Sequence, residues 1–62
     1  MSLQQIRTAV MAGKTVHWKT VSYTVVCRGE WFIQCDNGHC IGLTWADGET
    51  LNANPESFYV AE

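Results

Sequence analysis

The sequence predicts an α+β fold, one N-terminal helix followed by a small, strongly bent antiparallel sheet of four to five strands. Three observations carry that expectation. A helical stripe with its own end signals occupies residues 1–13, and from Thr15 onward the apolar period falls to two. Arg28-Gly29, Asn37-Gly38 and Asp47-Gly48 then punctuate the second region as hairpin turns do.

Residues 2–12 read as the helix. Ser2 and Gln5 form a capping box, in which the hydroxyl accepts from one free N–H and the amide reaches back to another. Leu3, Ile6, Val10 and, less centrally, Ala9 fall along one stripe. Gly13 suits the residue just past the helix, with Lys14 beside the negative end of the dipole. A helix of about eleven residues is marginal alone and needs an apolar surface to lie on.

Strands follow from alternation. Val16 and Trp18 flank His17, and Tyr23, Val25 and Cys27 alternate with Ser22, Thr24 and Val26. Trp31, Ile33 and Cys35 alternate with Phe32, Gln34 and Asp36, and Ile41, Leu43 and Trp45 with Gly42 and Thr44. Phe58 and Val60 flank Tyr59 in a last short strand, with Pro55 ending pairing before it. At the middle turn, a two-residue Asn37-Gly38 loop would set Cys35 against Cys40 and leave Ile41 and Leu43 opposite Trp31 and Ile33. A three-residue loop, Asp36-Asn37-Gly38, pairs Cys35 with His39 and puts Trp31, Ile33, Leu43 and Ile41 on one buried face. The second register is preferred, so Gly38 is predicted to have positive φ. An SH3-like barrel with an appended helix is the first expectation for the whole, and a flatter meander with the helix across one face is the second. The chain reads as a single domain, 1–62, with the helix in 1–13 and the antiparallel meander in 14–62.

With 62 residues, 47% hydrophobic and 16% charged, the chain has a globular rather than a disordered composition. No apolar run approaches the roughly 20 residues that span a membrane. The opening MSLQQIRTAVMAG carries an Arg and glutamines where a secretory signal would be apolar. A cytoplasmic protein with reduced Cys27, Cys35 and Cys40 is therefore expected, and the odd cysteine count also disfavours a closed disulfide framework. Net charge is −2, yet all four basic residues precede position 29 and all six acids follow it. A sheet that folds the halves over each other would cancel most of this polarity.

Candidate chemistry is sparse. Cys35, His39 and Cys40, with Cys27 nearby, are ligand types that suit zinc, but a second pair at zinc-knuckle spacing is missing and the preferred register sends Cys40 away from the other two. Cys35 opposite His39 has the residue types of a nucleophile and its base, without an oxyanion motif or an orienting third group. Asp47-Gly48-Glu49 and Asn52-Ala53-Asn54 lack the ligand spacing of a calcium loop and read as turns. No catalytic residue, metal ligand or cofactor is assigned. His17, Phe32 and Tyr59, with Trp45, fall opposite or outside the main core positions of their strands, where rings serve either packing under the helix or an interaction surface.

Ala12-Gly13-Lys14-Thr15-Val16-His17-Trp18, Tyr23-Thr24-Val25, Asn37 to Thr44, Thr50-Leu51-Asn52 and Phe58-Tyr59-Val60 together resemble short uncharacterised reading frames of bacteriophages, prophages and plasmids of proteobacteria. That resemblance implies a bacterial or phage accessory protein that acts by binding, and it carries no functional residue over. The leading expectation is a non-enzymatic module that engages a protein partner or itself through His17, Phe32 and Tyr59. The second is a nucleic-acid-binding small barrel using Arg7, Lys14, Lys19 and Arg28. The third is a thiol or zinc site at Cys35, His39 and Cys40.

Overall fold

A computed structural model describes residues 1–61. Glu62, counted among the acids and closing the predicted 14–62 segment, lies outside the described residues. Helix α1 spans Leu3–Met11, and a five-stranded antiparallel sheet follows: β1 Val16–Trp18, β2 Thr20–Arg28, β3 Glu30–Cys35, β4 Cys40–Gly42 and β5 Phe58–Val60. The spatial order is β4-β3-β2-β1-β5, so the last strand pairs with the first.

Both helix ends are built as the sequence predicts. Gln5 N–H donates to Ser2 Oγ at 3.2 Å, and Ser2 N–H donates to Gln5 Oε1 at 2.9 Å. At the other end Gly13 N–H donates to Val10 O and Lys14 N–H to Ala9 O, both at 3.0 Å, closing a Schellman motif around Gly13 at φ +85°. The stripe is centred one position off expectation, because Ala9 is buried with Ile6 while Val10 is half-buried.

The middle hairpin takes the three-residue loop. Ile33 pairs with Ile41, Cys35 N–H donates to His39 O at 2.7 Å, Leu43 N–H donates to Trp31 O at 3.0 Å, and Gly38 sits at φ +95°. The predicted buried face needs correction: Ile33 and Leu43 are buried, but Trp31 is half-buried and Ile41, on an edge strand, is 40% exposed. The strand predicted over 41–45 also stops at Gly42. Thr44 then makes a lone bridge to Leu51, and Trp45, expected beside Leu43, is 62% exposed.

The five strands form an antiparallel sheet that is not closed into a barrel. Its edges are β4 and β5, and helix α1 packs on one face. The ladder between β1 and β2 is irregular. There His17 pairs with Thr24 but Trp18 with Thr20, so Val21, Ser22 and Tyr23 bulge out of the ladder. Lys19, at the corner, takes φ +61°.

One core joins these pieces. Ile6 and Ala9 of α1 meet Val16, Val25, Ile33, Leu43 and Phe58, with Trp18, Tyr23, Trp31 and Leu51 packed around them. Basic-half strands β1 and β2 lie in the middle of the sheet, flanked by acidic-half strands on both sides. The two charged halves are thus interleaved.

Candidate functional site

Helix α1 lies on the face made by Val16, Val25, Ile33 and Phe58. That settles which side of the sheet stays open. Strand parity puts His17, Thr24, Val26, Phe32, Gln34, Cys40 and Tyr59 on the opposite face, and cross-strand pairing orders them. Cys40, Gln34, Thr24, His17 and Tyr59 form one row across all five strands, and Gly42, Phe32 and Val26 form a second. His17, Phe32 and Tyr59 therefore share a face, but they do not form one contact cluster. His17 and Tyr59 rings lie 5.6 Å apart at 46°, and Phe32 sits two strands away.

His17 is held in one tautomer. Its Nδ1 lies 2.9 Å from Tyr23 O and 3.4 Å from Thr24 Oγ1. A carbonyl oxygen only accepts, so Nδ1 carries a proton, and in the neutral ring Nε2 is the acceptor.

At the β3–β4 end a cleft of about 360 Å³ draws its walls from both sides of the sheet, with Arg7, Glu30, Trp31, Phe32, Gly42 and Trp45 lining it. Its size is at the small end of the roughly 300–1,000 Å³ typical of ligand sites. The outer wall is the loop from Thr44 to Leu51. Trp45 N–H donates to Thr50 O at 2.8 Å, and Gly48 N–H donates to Trp45 O at 2.9 Å. The Asp47 carboxylate accepts from Glu49 N–H, Thr50 N–H and Thr50 Oγ. The backbone N–H groups of Thr50 and Glu49, together with the Thr50 hydroxyl, hold Asp47 below its ordinary pKa of 3.8. Alternation along residues 41–45 grouped Trp45 with Ile41 and Leu43, although its ring was also counted with the candidate surface aromatics; this cleft was not legible because the chain leaves the ladder at Gly42.

The four cations do not line up. Arg7 projects from the helix side, donates to Gly48 O at 2.9 Å, and lies 5.9 Å from the Trp31 ring centre. Lys14 is exposed in the turn after α1, and Lys19 folds back 4.5 Å over Trp18. Arg28, on the open sheet face, donates to Gln34 Oε1 at 3.1 Å. Three of the four head groups are engaged within the chain, and Arg7 and Arg28 are on opposite sides of the sheet.

The thiols are likewise dispersed. Cys35 Sγ points to Asp36 Oδ1 at 3.6 Å, whereas Cys40 pairs with Gln34 and so faces the other side. All three cysteines are free, and among the described residues no group of three or more His, Cys, Asp or Glu is placed to hold a metal ion. No helix among the described residues is long and apolar enough to cross a membrane.

Comparison with protein-family models, with curated proteins and with solved structures gives no match to this chain.

Proposed function

We propose that this chain is a non-enzymatic interaction module whose helix-free sheet face docks reversibly on a partner protein. The observation that carries the reading is the one-sided burial of the sheet. Helix α1 covers the Val16 and Val25 face, and rings of three strands, His17, Phe32 and Tyr59, stand on the other. Aromatic residues set among polar ones, here Thr24, Gln34 and Arg28, are the composition of non-obligate interfaces rather than of permanent dimers. The resemblance to short phage, prophage and plasmid reading frames agrees with an accessory protein that acts by binding. Three free thiols fit a reducing compartment such as the cytoplasm.

The test is a double variant, Phe32→Ser with Tyr59→Ser, checked for retained fold by the dispersion of its amide spectrum. Affinity capture from host lysate should yield a partner with the parent chain and lose it with the variant, and the isolated partner should shift amides of 24–26, 32–34 and 59. Equal retention by a folded double variant would refute the surface. A parent dimer in light scattering that the variant lacks would make a second copy the occupant.

A further inference from the structure

We propose that Asn37 is a site of spontaneous covalent modification: the backbone nitrogen of Gly38 displaces its side-chain amide, and water then leaves aspartate or isoaspartate. This goes beyond the interaction reading and does not depend on it.

The chain holds three asparagines, Asn37, Asn52 and Asn54, and they differ in the residue that follows. Ring closure needs the next backbone nitrogen to lose its proton and reach the asparagine Cγ. Pro55, after Asn54, has no N–H to give up. Ala53, after Asn52, carries a Cβ that narrows the backbone conformations from which attack is made. Gly38 has neither restriction. Asn37 and Gly38 are both exposed at the tip of the β3–β4 loop, open to water and to a departing ammonia.

The turn supplies the geometry. Asn37 Oδ1 accepts from His39 N–H at 3.0 Å, an Asx turn that folds the side-chain amide back over the Gly38 peptide. Attack by Gly38 N drives charge onto that same oxygen, where the His39 N–H already points. The nitrogen is the restrained partner. Gly38 N–H donates to Cys35 O at 3.0 Å, and that bond must open before the proton leaves. The electrophile is thus held ready, and the nucleophile is gated by the turn.

The step balances with water as the sole co-reactant. A bond forms between Gly38 N and Asn37 Cγ, the Cγ–Nδ2 bond breaks, and ammonia carries off the amide nitrogen with the proton from Gly38. Water then opens the five-membered imide. Opening at Cγ gives aspartate, whose carboxylate keeps the acceptor that His39 N–H uses. Opening at the backbone carbonyl gives isoaspartate, with Cβ inserted into the main chain. That product lengthens a loop whose length sets the register of Cys35 N–H on His39 O, a bond of 2.7 Å. It therefore unpins the start of β4, whereas aspartate changes only the charge.

The experiment incubates the full chain in mildly alkaline buffer, with and without urea, and resolves its peptides by chromatography and mass spectrometry. In buffer Asn37 should lose its amide about tenfold faster than Asn52, a barrier lower by about 1.4 kcal/mol, and Asn54 should stay intact. Loss at Asn37 should be faster still in urea, which opens the turn and frees the Gly38 nitrogen. In the isoaspartate product the Cys35 amide should lose its protection from hydrogen exchange, and an Asn37→Asp chain should keep it. An intact Asn37, or loss no faster than at Asn52, would overturn the site. A rate in urea no higher than in buffer, or a protected Cys35 amide in the isoaspartate product, would overturn the role given to the turn.

Discussion

Asp47 closes the loop from Thr44 to Leu51 with one carboxylate, accepting from two backbone N–H groups and one hydroxyl. All three contacts favour the charged form, so its pKa is lowered on folding. A lowered carboxylate pKa gives a contribution that is full above the unfolded value and is lost as pH falls through the folded one. Acidification below 3.8 should therefore release the Glu49 and Thr50 amides, and Asp47→Asn should leave their shifts insensitive to pH in that range. An NMR titration checks this, and unchanged titration of those two amides in the Asn variant would contradict it. Gly38 makes a sharper test. At φ +95° any side chain is strained, although a Cβ there meets nothing within 4 Å. Gly38→Ala should cost about 1 kcal/mol through backbone conformation alone, read as a lower urea midpoint with an unchanged slope. The glycine and its sign of φ were legible from the choice between two loop lengths. Trp45 was legible only as a candidate surface ring, because its position depends on where β4 stops.

At the scale of elements, the helix is the best-specified part of the chain. Ser2, Gln5 and Gly13 state its limits locally, and each acts through backbone groups within four residues of itself. Ser2→Ala should cost about 1 kcal/mol, measured by thermal or urea unfolding, with loss of the first helical turn's amide protection. The β3–β4 hairpin was equally legible, since loop length fixes register and register fixes parity, whereas Arg28-Gly29 marked the β2–β3 turn without fixing its register. The pairing of β5 with β1 was not legible. No local signal joins Phe58–Val60 to Val16–Trp18, and the match is set only when both strands find the same core. The bulge of Val21, Ser22 and Tyr23 escaped for a related reason. Alternation of side chains continues through it while the ladder to β1 does not.

At the scale of the molecule, the core is small enough that single residues decide whether it exists. Ile6, Ile33, Leu43 and Val16 are its fully buried large side chains, one from the helix and three from the sheet or its continuation. Domains of this size have a total stability of only roughly 3–9 kcal/mol, scaled by residue. Ile6→Ala removes the helix's main anchor and should cost about 2–5 kcal/mol, leaving a largely unfolded chain by circular dichroism at room temperature. A fully cooperative fold in that variant would show that the helix is not what covers the sheet. The covered face was the feature parity could not supply. Period two sorts residues onto two faces without saying which meets the helix, and only the shared burial of Ile6 with Val16, Val25 and Phe58 decides it.

The pairing of the last strand with the first also sets a timetable. Thr15, Val16, His17 and Trp18 receive their partners from 58–61, so this side of the sheet forms only after a long loop closes. Local hairpins assemble early, and the seam between β1 and β5 assembles late. Until it does, β1 presents an unsatisfied edge, a ready template for a strand of another copy. The faster the seam closes, the shorter the time that this edge is open to another copy, independently of how stable the finished fold is.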